Sequence, residues 1–217
     1  MDRAAEPDER AALPLVIFVT GLSCTGKTTL ARALAERFDL PLFSKDAFKE
    51  MMFDIVCPDG DYESRLTREM SQLLGRYSLG CLEIALGQCV RSGVPAIFEA
   101  NFNSRLFSPR IASLREQHPF RALQVHLQCR GDILLERFIA RERTDRHPGH
   151  GGLQHLTEVG DVMMAGSDEP LILENSDDLV ILDTTELASV DYRPLFDLVA
   201  KRLGASHDTG VTERITQ

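Results

Sequence analysis

The segment 21–28 reads GLSCTGKT and matches the pattern GxxxxGK[ST] at every fixed position. Gly21 and Gly26 allow successive backbone N–H groups to point at phosphate oxygens. Lys27 supplies a mobile cation for the β- and γ-phosphates, and the Thr28 hydroxyl can ligate Mg²⁺. The segment therefore predicts that the chain binds a nucleotide together with Mg²⁺.

The flanking sequence has the order that such a loop needs. The apolar run LVIFVT precedes it, and the run TTLARALAERF that follows places Leu30, Leu34 and Phe38 on one helical face. The helix dipole then adds positive potential at the phosphates. Besides Gly21, Gly26, Lys27 and Thr28, we predict nucleotide contacts from the other loop residues and the first helical turn: Ser23, Cys24, Thr25 and Thr29.

Carboxylates follow the next two predicted strands. Asp46 lies in FSKDAFKE, at the start of a helix, where it can orient and deprotonate an attacking hydroxyl or merely cap the helix. Glu99 and Asn101 lie in FEANFN at a strand's carboxyl end, where open α/β sheets bind ligands. Glu99 can hold Mg²⁺ through water, align a substrate, or be neutralised by Lys27 or Arg105. The predicted metal ligands are Thr28 and Glu99, and the predicted substrate-binding residues are Asp46, Lys49, Glu99, Asn101 and Arg105.

An arginine-rich segment is typical of a closing lid. Arg137 and Arg141 are four residues apart on one predicted helical face, and the loop RTDRHPGHGG follows. Guanidinium groups brought in by a lid neutralise charge on a transferring phosphoryl group while excluding water. We expect Arg137 and Arg141 to contact phosphate and, with Lys27 and Asp46, to form the catalytic set. The alternative is a solvated helix, in which the arginines pair with interleaved acidic residues: Asp132, Glu136, Glu142 and Asp145.

Three histidines, His147, His150 and His155, follow the arginines. They resemble a metal cluster, but no cysteine or patterned carboxylate accompanies them. The sequence therefore disfavours a zinc site.

Apolar runs alternate with helical periodicity along the chain. Five runs predict strands with both faces covered: 15–20, 40–43, 94–100, 122–129 and 179–184. Helices are predicted between and after them: 28–38, 46–53, 62–92, 107–118, 132–143 and 190–203. This alternation predicts an α/β fold, a three-layer sandwich around a mainly parallel five-stranded sheet with a helical lid.

Composition limits the alternatives. A chain of 217 residues with 43% hydrophobic and 26% charged residues fits one domain, expected at 13–204 between a charged leader, 1–12, and a tail, 205–217. No apolar run approaches the roughly 20 residues of a membrane span. The odd number of cysteines without a CxxC pair favours reduced thiols and a cytoplasmic location.

The negative charge is unevenly distributed. The net charge is −9, and between His147 and Tyr192 there are ten acidic residues but no lysine or arginine. This stretch would repel a nucleic-acid backbone, so a nucleic-acid partner is not expected. It is either a solvated acidic surface or a face that attracts a cationic substrate.

These motifs together resemble the AAA-type small P-loop kinases and predicted ATPases, which include chloramphenicol phosphotransferase, zeta toxins, gluconate kinase and the kinase domain of polynucleotide kinase. The resemblance covers roughly Leu15 to Leu203 and implies ATP as the nucleotide, Asp46 as general base, and ATP contacts from Arg137 and Arg141. The chain has Lys49 where an arginine commonly follows the aspartate in polynucleotide kinases.

We therefore expect an ATP- and Mg²⁺-dependent kinase that phosphorylates a hydroxyl of a small molecule. Two alternatives remain open: a polynucleotide 5′-hydroxyl kinase and a regulatory P-loop ATPase that acts as a switch. Replacing Asp46 separates a kinase from a switch.

Overall fold

A computed structural model describes residues 12–143, 146–150, 156–173 and 178–204. Its strands form one parallel sheet in the order β2-β3-β1-β4-β5. The strands are β1 Leu15–Gly21, β2 Leu42–Ser44, β3 Ala96–Glu99, β4 Arg121–Gln128 and β5 Leu179–Asp183. The predicted α/β architecture with five parallel strands is confirmed.

Helices cover both faces of the sheet. In chain order they are α1 Lys27–Phe38, α2 Lys45–Val56, α3 Tyr62–Arg65, α4 Arg68–Arg91, α5 Ser104–Gln117, α6 Gly131–Glu142, α7 Leu156–Met164 and α8 Arg193–Leu203. Short 3₁₀ turns lie at Pro148–His150 and Leu187–Ser189. Within the described ranges, no helix is both long enough and apolar enough to cross a membrane.

Two helical predictions need correction. The single helix expected over 62–92 is broken after Arg65, because the Thr67 side chain accepts a hydrogen bond from the Met70 N–H and starts α4 anew. Helix α7 was not predicted, although it lies directly after the proposed lid loop. Its short length and the unpatterned loop before it hid its periodicity.

Some sequence predictions fall on residues outside the described ranges. These include the leader, apart from Ala12, and the whole tail. Asp145 and His155 of the predicted lid also lie outside them.

Strand β1 is the centre of the core and is buried along its whole length. Val16 and Phe18 face the layer that contains α4 and α5, whereas Ile17 and Val19 face α1 and α8. Burial on both faces explains why the strand reads as a continuous apolar run.

The order of the strands determines where the segment 21–28 lies in the sheet. Strand β1 has β3 on one side and β4 on the other: the connection after β1 runs to β2 on the β3 side, and the connection after β3 crosses to β4 on the other side. Open α/β sheets bind ligands at the carboxyl ends of strands where the order reverses in this way. The segment 21–28 leaves β1 at this point.

Gly21 tolerates no side chain, because a Cβ there would lie 2.3 Å from the Leu127 carbonyl oxygen and its φ is 128°. Gly93 also has a positive φ, 68°, but its Cβ would meet nothing within 4 Å. We expect Gly21→Ala to lower the free energy of unfolding by about 1–3 kcal/mol more than Gly93→Ala, measured by urea denaturation. Equal losses in the two variants would contradict the close approach of β1 and β4.

Candidate active site

The loop after β1 closes around its own backbone. Thr25 Oγ1 and Lys27 Nζ both donate hydrogen bonds to the Leu22 carbonyl, at 2.9 and 2.6 Å. Gly26 caps α1 and has no side chain, so the first N–H groups of the helix stay available to an anion. The residues present fit the phosphates of a nucleotide.

The ammonium of Lys27 is buried within this loop. Burial lowers the pKa of Lys27, while the carboxylates of Glu99 and Asp46 act in the opposite direction. A buried cation between two carboxylates is an electrostatic centre on which phosphate oxygens can be held.

Asp46 is the second residue of α2, not its cap, which is Ser44. Lys45 Nζ lies 3.2 Å from Asp46 Oδ1 and 3.1 Å from Asn101 Oδ1. Burial alone would raise the pKa of Asp46, but the charges of Lys45 and Lys27 hold that pKa far below its usual range. Asp46 is therefore ionised at every physiological pH.

Glu99 is held by the neighbouring strand. Ser44 lies opposite Glu99 in the register of β2 and β3, and its hydroxyl donates a 2.6 Å hydrogen bond to Glu99 Oε2. The Glu99 side chain is almost fully buried. One carboxylate oxygen is thus fixed, and the carboxylate borders the space beside Lys27.

Two cavities meet at this centre. The larger, about 670 Å³, runs along the phosphate loop and the start of α1, and includes Thr28, Thr29, Arg137 and Arg141 in its wall. The smaller, about 320 Å³, lies beyond the loop. The residues that border both cavities are Ser23, Lys27, Asp46 and Glu99. These four side chains therefore lie where the two cavities adjoin.

The two predicted lid arginines differ in their contacts. Arg137 donates hydrogen bonds to the carbonyls of Thr184 and Thr185, at 2.9 and 2.8 Å, and so ties α6 to the end of β5. It still borders the larger cavity, as does Arg141. Arg137 supports the cavity wall, and Arg141 adds positive charge there.

Residues 146–150, which we call the roof, follow α6 and are docked on α2. His147 Nε2 lies 3.0 Å from Asp54 Oδ1, and His150 Nε2 lies 3.0 Å from Glu50 Oε1. Burial, reinforced by the charge of Arg146, lowers the pKa of His150 to about 3. His150 is therefore neutral in the folded protein and bonds Glu50 without carrying charge.

A buried polar cluster connects β1, β4 and the chain after α7. Thr20 Oγ1 lies 2.8 Å from His126 Nδ1 and accepts a 2.7 Å hydrogen bond from Gln124. Asp168, which follows α7, lies 3.6 Å from His126 Nε2. Burial lowers the pKa of His126 and raises that of Asp168. The cluster joins the chain after α7 to the strands β1 and β4 directly below the loop.

The structure brings the predicted substrate-binding residues together, with one exception. Lys49 and Asn101 border the smaller cavity, as predicted for substrate contacts. Arg105 borders neither cavity: its side chain is 84% exposed and lies 3.7 Å from Glu169. Being at a strand's carboxyl end was not enough, because α5 begins at Ser104 and carries Arg105 outward.

Sequence reasoning missed several residues at the site, among them Ser44, Lys45 and Arg68. Ser44 and Lys45 directly precede Asp46, so their position was a usable signal. Arg68 reaches the smaller cavity only because the chain breaks before α4, which the periodicity did not reveal.

A divalent cation would have few protein ligands here. Thr28 borders the larger cavity and Glu99 borders both. No group of three or more metal-binding side chains was found in the described part of the chain. A hydroxyl and one carboxylate suit Mg²⁺, which binds mainly through phosphate oxygens and water.

Comparison with known proteins identifies the family. The family model for the AAA domain designated AAA_33 matches residues 16–163, from β1 through the cavities and into α7. The chain belongs to the AAA_33 family. A crystal structure from Chloroflexus aurantiacus J-10-fl, provisionally described as a kinase, is 34% identical with a TM-score of 0.72, over 88% of this chain and 96% of that one.

Two other similarities are more limited, and the structural one supports the fold alone. A sugar kinase from Janibacter sp. HTCC2649 has 21% identity and a TM-score of 0.50, over 90% of this chain and 99% of that one. A tRNA dimethylallyltransferase from Synechococcus sp. CC9605 is 36% identical over 63 residues, 28% of this chain. The match covers 21% of the length of that relative.

The roof of the AAA_33 domain depends on a glycine. A Cβ at Gly149 would lie 2.5 Å from Phe53 Cδ2, and Phe53 is fully buried. We expect Gly149→Ala to lower the free energy of unfolding by about 1–3 kcal/mol or to displace the roof from α2. Hydrogen exchange and urea denaturation measure both effects.

Gly80→Ala is the matched control. Gly80 lies in α4, and a Cβ at this position would meet nothing within 4 Å. It should be neutral or stabilising by up to about 1 kcal/mol. If Gly149→Ala behaves like Gly80→Ala, the roof is not seated on Phe53.

Proposed function

We propose that this protein is an ATP- and Mg²⁺-dependent phosphotransferase that phosphorylates a hydroxyl group of a small molecule. One observation carries the proposal: a cavity along the phosphate loop and a second cavity meet at Lys27, Asp46 and Glu99. A hydrolytic switch needs only the first cavity, whereas a kinase needs a separate place for an acceptor. The similarity to a protein provisionally described as a kinase agrees with this assignment.

The residues have separate tasks in the proposed reaction. Bound ATP would supply the γ-phosphoryl group, with Mg²⁺ neutralising part of its charge. Lys27 holds the phosphate oxygens and stabilises the charge that develops during transfer. Thr28 and Glu99 are the residues that would hold Mg²⁺, directly or through water. Arg141 adds positive charge from the cavity wall.

Asp46 first orients the acceptor hydroxyl. Its ionised carboxylate accepts a hydrogen bond from the acceptor hydroxyl and takes the proton as the hydroxyl oxygen bonds to phosphorus. Because Lys45 keeps the pKa of Asp46 low, Asp46 is a weak base. A weak base is sufficient here, since phosphoryl transfer proceeds through a loose transition state in which the hydroxyl proton leaves late.

The five cysteines are all free thiols in the structure. Reduced thiols and a soluble nucleotide as phosphate donor fit the cytoplasm as the location of the proposed reaction.

Asp46→Asn tests the catalytic assignment. The amide cannot take the proton, so we expect phosphate transfer to fall by about 10²–10⁴-fold while ATP affinity changes little. The measurement is transfer from labelled ATP to pooled hydroxylated metabolites, antibiotics and 5′-hydroxyl oligonucleotides, with Lys27→Ala losing transfer as well. Asp197→Asn, the same change on the exposed face of α8, should leave transfer intact. ATP binding without any labelled acceptor would favour the regulatory switch instead.

Lys45→Met tests the electrostatic control of Asp46. Removing the cation should raise the pKa of Asp46, so Asp46 becomes protonated and inactive at higher pH. We expect the acidic limb of the kcat profile to move upward by about 1–3 pH units. Lys201→Met, on α8, provides the matched control. An unmoved acidic limb would mean that Lys45 does not set the charge state of Asp46.

A further inference from the structure

We propose that the smaller cavity contains an oxyanion site centred on Lys49, so that the acceptor is a hydroxyl compound that also carries a carboxylate or a phosphate. This inference rests on the proposed phosphotransferase function and specifies its substrate class.

The wall of the smaller cavity is strongly cationic. Among the described residues, five positive side chains border it against two carboxylates, Asp46 and Glu99. The positive residues are Lys27, Lys45, Lys49, Arg68 and Arg146. The protein as a whole has a net charge of −9, so this concentration of positive charge is local and opposite to the overall balance. A neutral or cationic acceptor would gain nothing from it.

Most of these positive side chains already have a partner within the protein. Lys45 pairs with Asp46 at 3.2 Å, and Arg146 pairs with Glu142. Lys27 serves the phosphate loop. Lys49 differs from these residues, because no described carboxylate forms an ion pair or hydrogen bond with it.

Lys49 is instead held by uncharged groups. Its Nζ donates a 3.0 Å hydrogen bond to the Ser71 hydroxyl and lies 5.0 Å from the centre of the Phe53 ring. Burial, followed by the charge of Lys45, lowers the pKa of Lys49 to about 8. An anion beside Lys49 would offset both effects, since a buried charge is stabilised by a charged partner.

The spacing along α2 defines the acceptor further. Asp46 and Lys49 are three residues apart on one helix, so their Cβ atoms are about 5–6 Å apart. The reacting hydroxyl is at Asp46 and the anion at Lys49, so several bonds separate them in the acceptor. Apolar side chains complete the wall and suit the carbon chain between them: Leu22, Phe138, Val162 and Met163. A cavity of about 320 Å³ fits a small metabolite.

The acidic stretch between His147 and Tyr192 does not alter this chemistry. None of its described acidic residues borders either cavity. Asp178 bonds Arg202 at 2.9 Å, and Asp191 bonds Arg193. The expectation of a face that attracts a cationic substrate therefore has no support at this site.

The chain contains four lysines, Lys27, Lys45, Lys49 and Lys201, so each can be followed separately by NMR. We would label the lysine side chains with ¹³C and titrate the full-length protein with Mg²⁺ and a non-hydrolysable ATP analogue present, which fills the phosphate loop. Lys49→Gln assigns the Lys49 signal.

The probes share one carbon chain and differ in charge at C1: gluconate, sorbitol, glucamine and sorbitol 1-phosphate. We expect gluconate or sorbitol 1-phosphate to raise the pKa of Lys49 by about one unit, with the pKa of Lys49 unchanged by sorbitol or glucamine and the pKa of Lys201 unchanged by every probe. The two anionic probes distinguish a carboxylate site from a phosphate site. If neither anion moves the Lys49 signal, the oxyanion site is refuted.

Transfer kinetics separate this proposal from the proposed function. With an anionic acceptor, Lys49→Gln should raise KM at least tenfold with a smaller change in kcat, and Lys49→Arg should restore part of the affinity. A Lys49 shift without transfer to any acceptor supports the oxyanion site and refutes the kinase. Transfer to a neutral acceptor with an unmoved Lys49 signal supports the kinase and refutes the oxyanion site.

Discussion

The Lys27 ammonium is buried in a loop and faces two carboxylates, Asp46 and Glu99, that come from different elements. Each of the three groups is positioned by a different element. The loop with Lys27 follows the central strand β1, Asp46 lies in α2 directly after β2, and Glu99 is the last residue of β3. Because all these strands are parallel, their carboxyl ends meet at one edge. The sheet order therefore assembles the electrostatic centre, and the buried layers on both faces keep it rigid.

The roof borders the smaller of the two cavities through Arg146 and His150. His147, Gly149 and His150 seat the roof on α2, and Asp168, which follows α7, lies 3.6 Å from His126 of β4. Arg146 belongs to the roof, so the segment that is docked on α2 also adds positive charge to the smaller cavity.

Much of the fold and of the phosphate loop could be predicted from sequence, because both depend on local patterns. Continuous apolar runs marked the strands, and the loop has a fixed spacing of glycines, lysine and threonine. Local patterns did not predict whether Arg105 and Arg68 lie at the site. Both positions depend on where a helix starts: α5 carries Arg105 away from the site, and the break before α4 brings Arg68 towards it. The ionisation of Asp46 and Lys49 depends on burial and on distances between elements, which no single segment encodes.

The most direct test of this account is a crystal structure of the protein with Mg²⁺ and a non-hydrolysable ATP analogue. The account predicts a γ-phosphate within hydrogen-bond distance of Lys27, facing Asp46, with the smaller cavity still open beyond it. A γ-phosphate directed away from Asp46, or a smaller cavity closed by the roof in the nucleotide complex, would contradict the proposal that the two cavities bind donor and acceptor together.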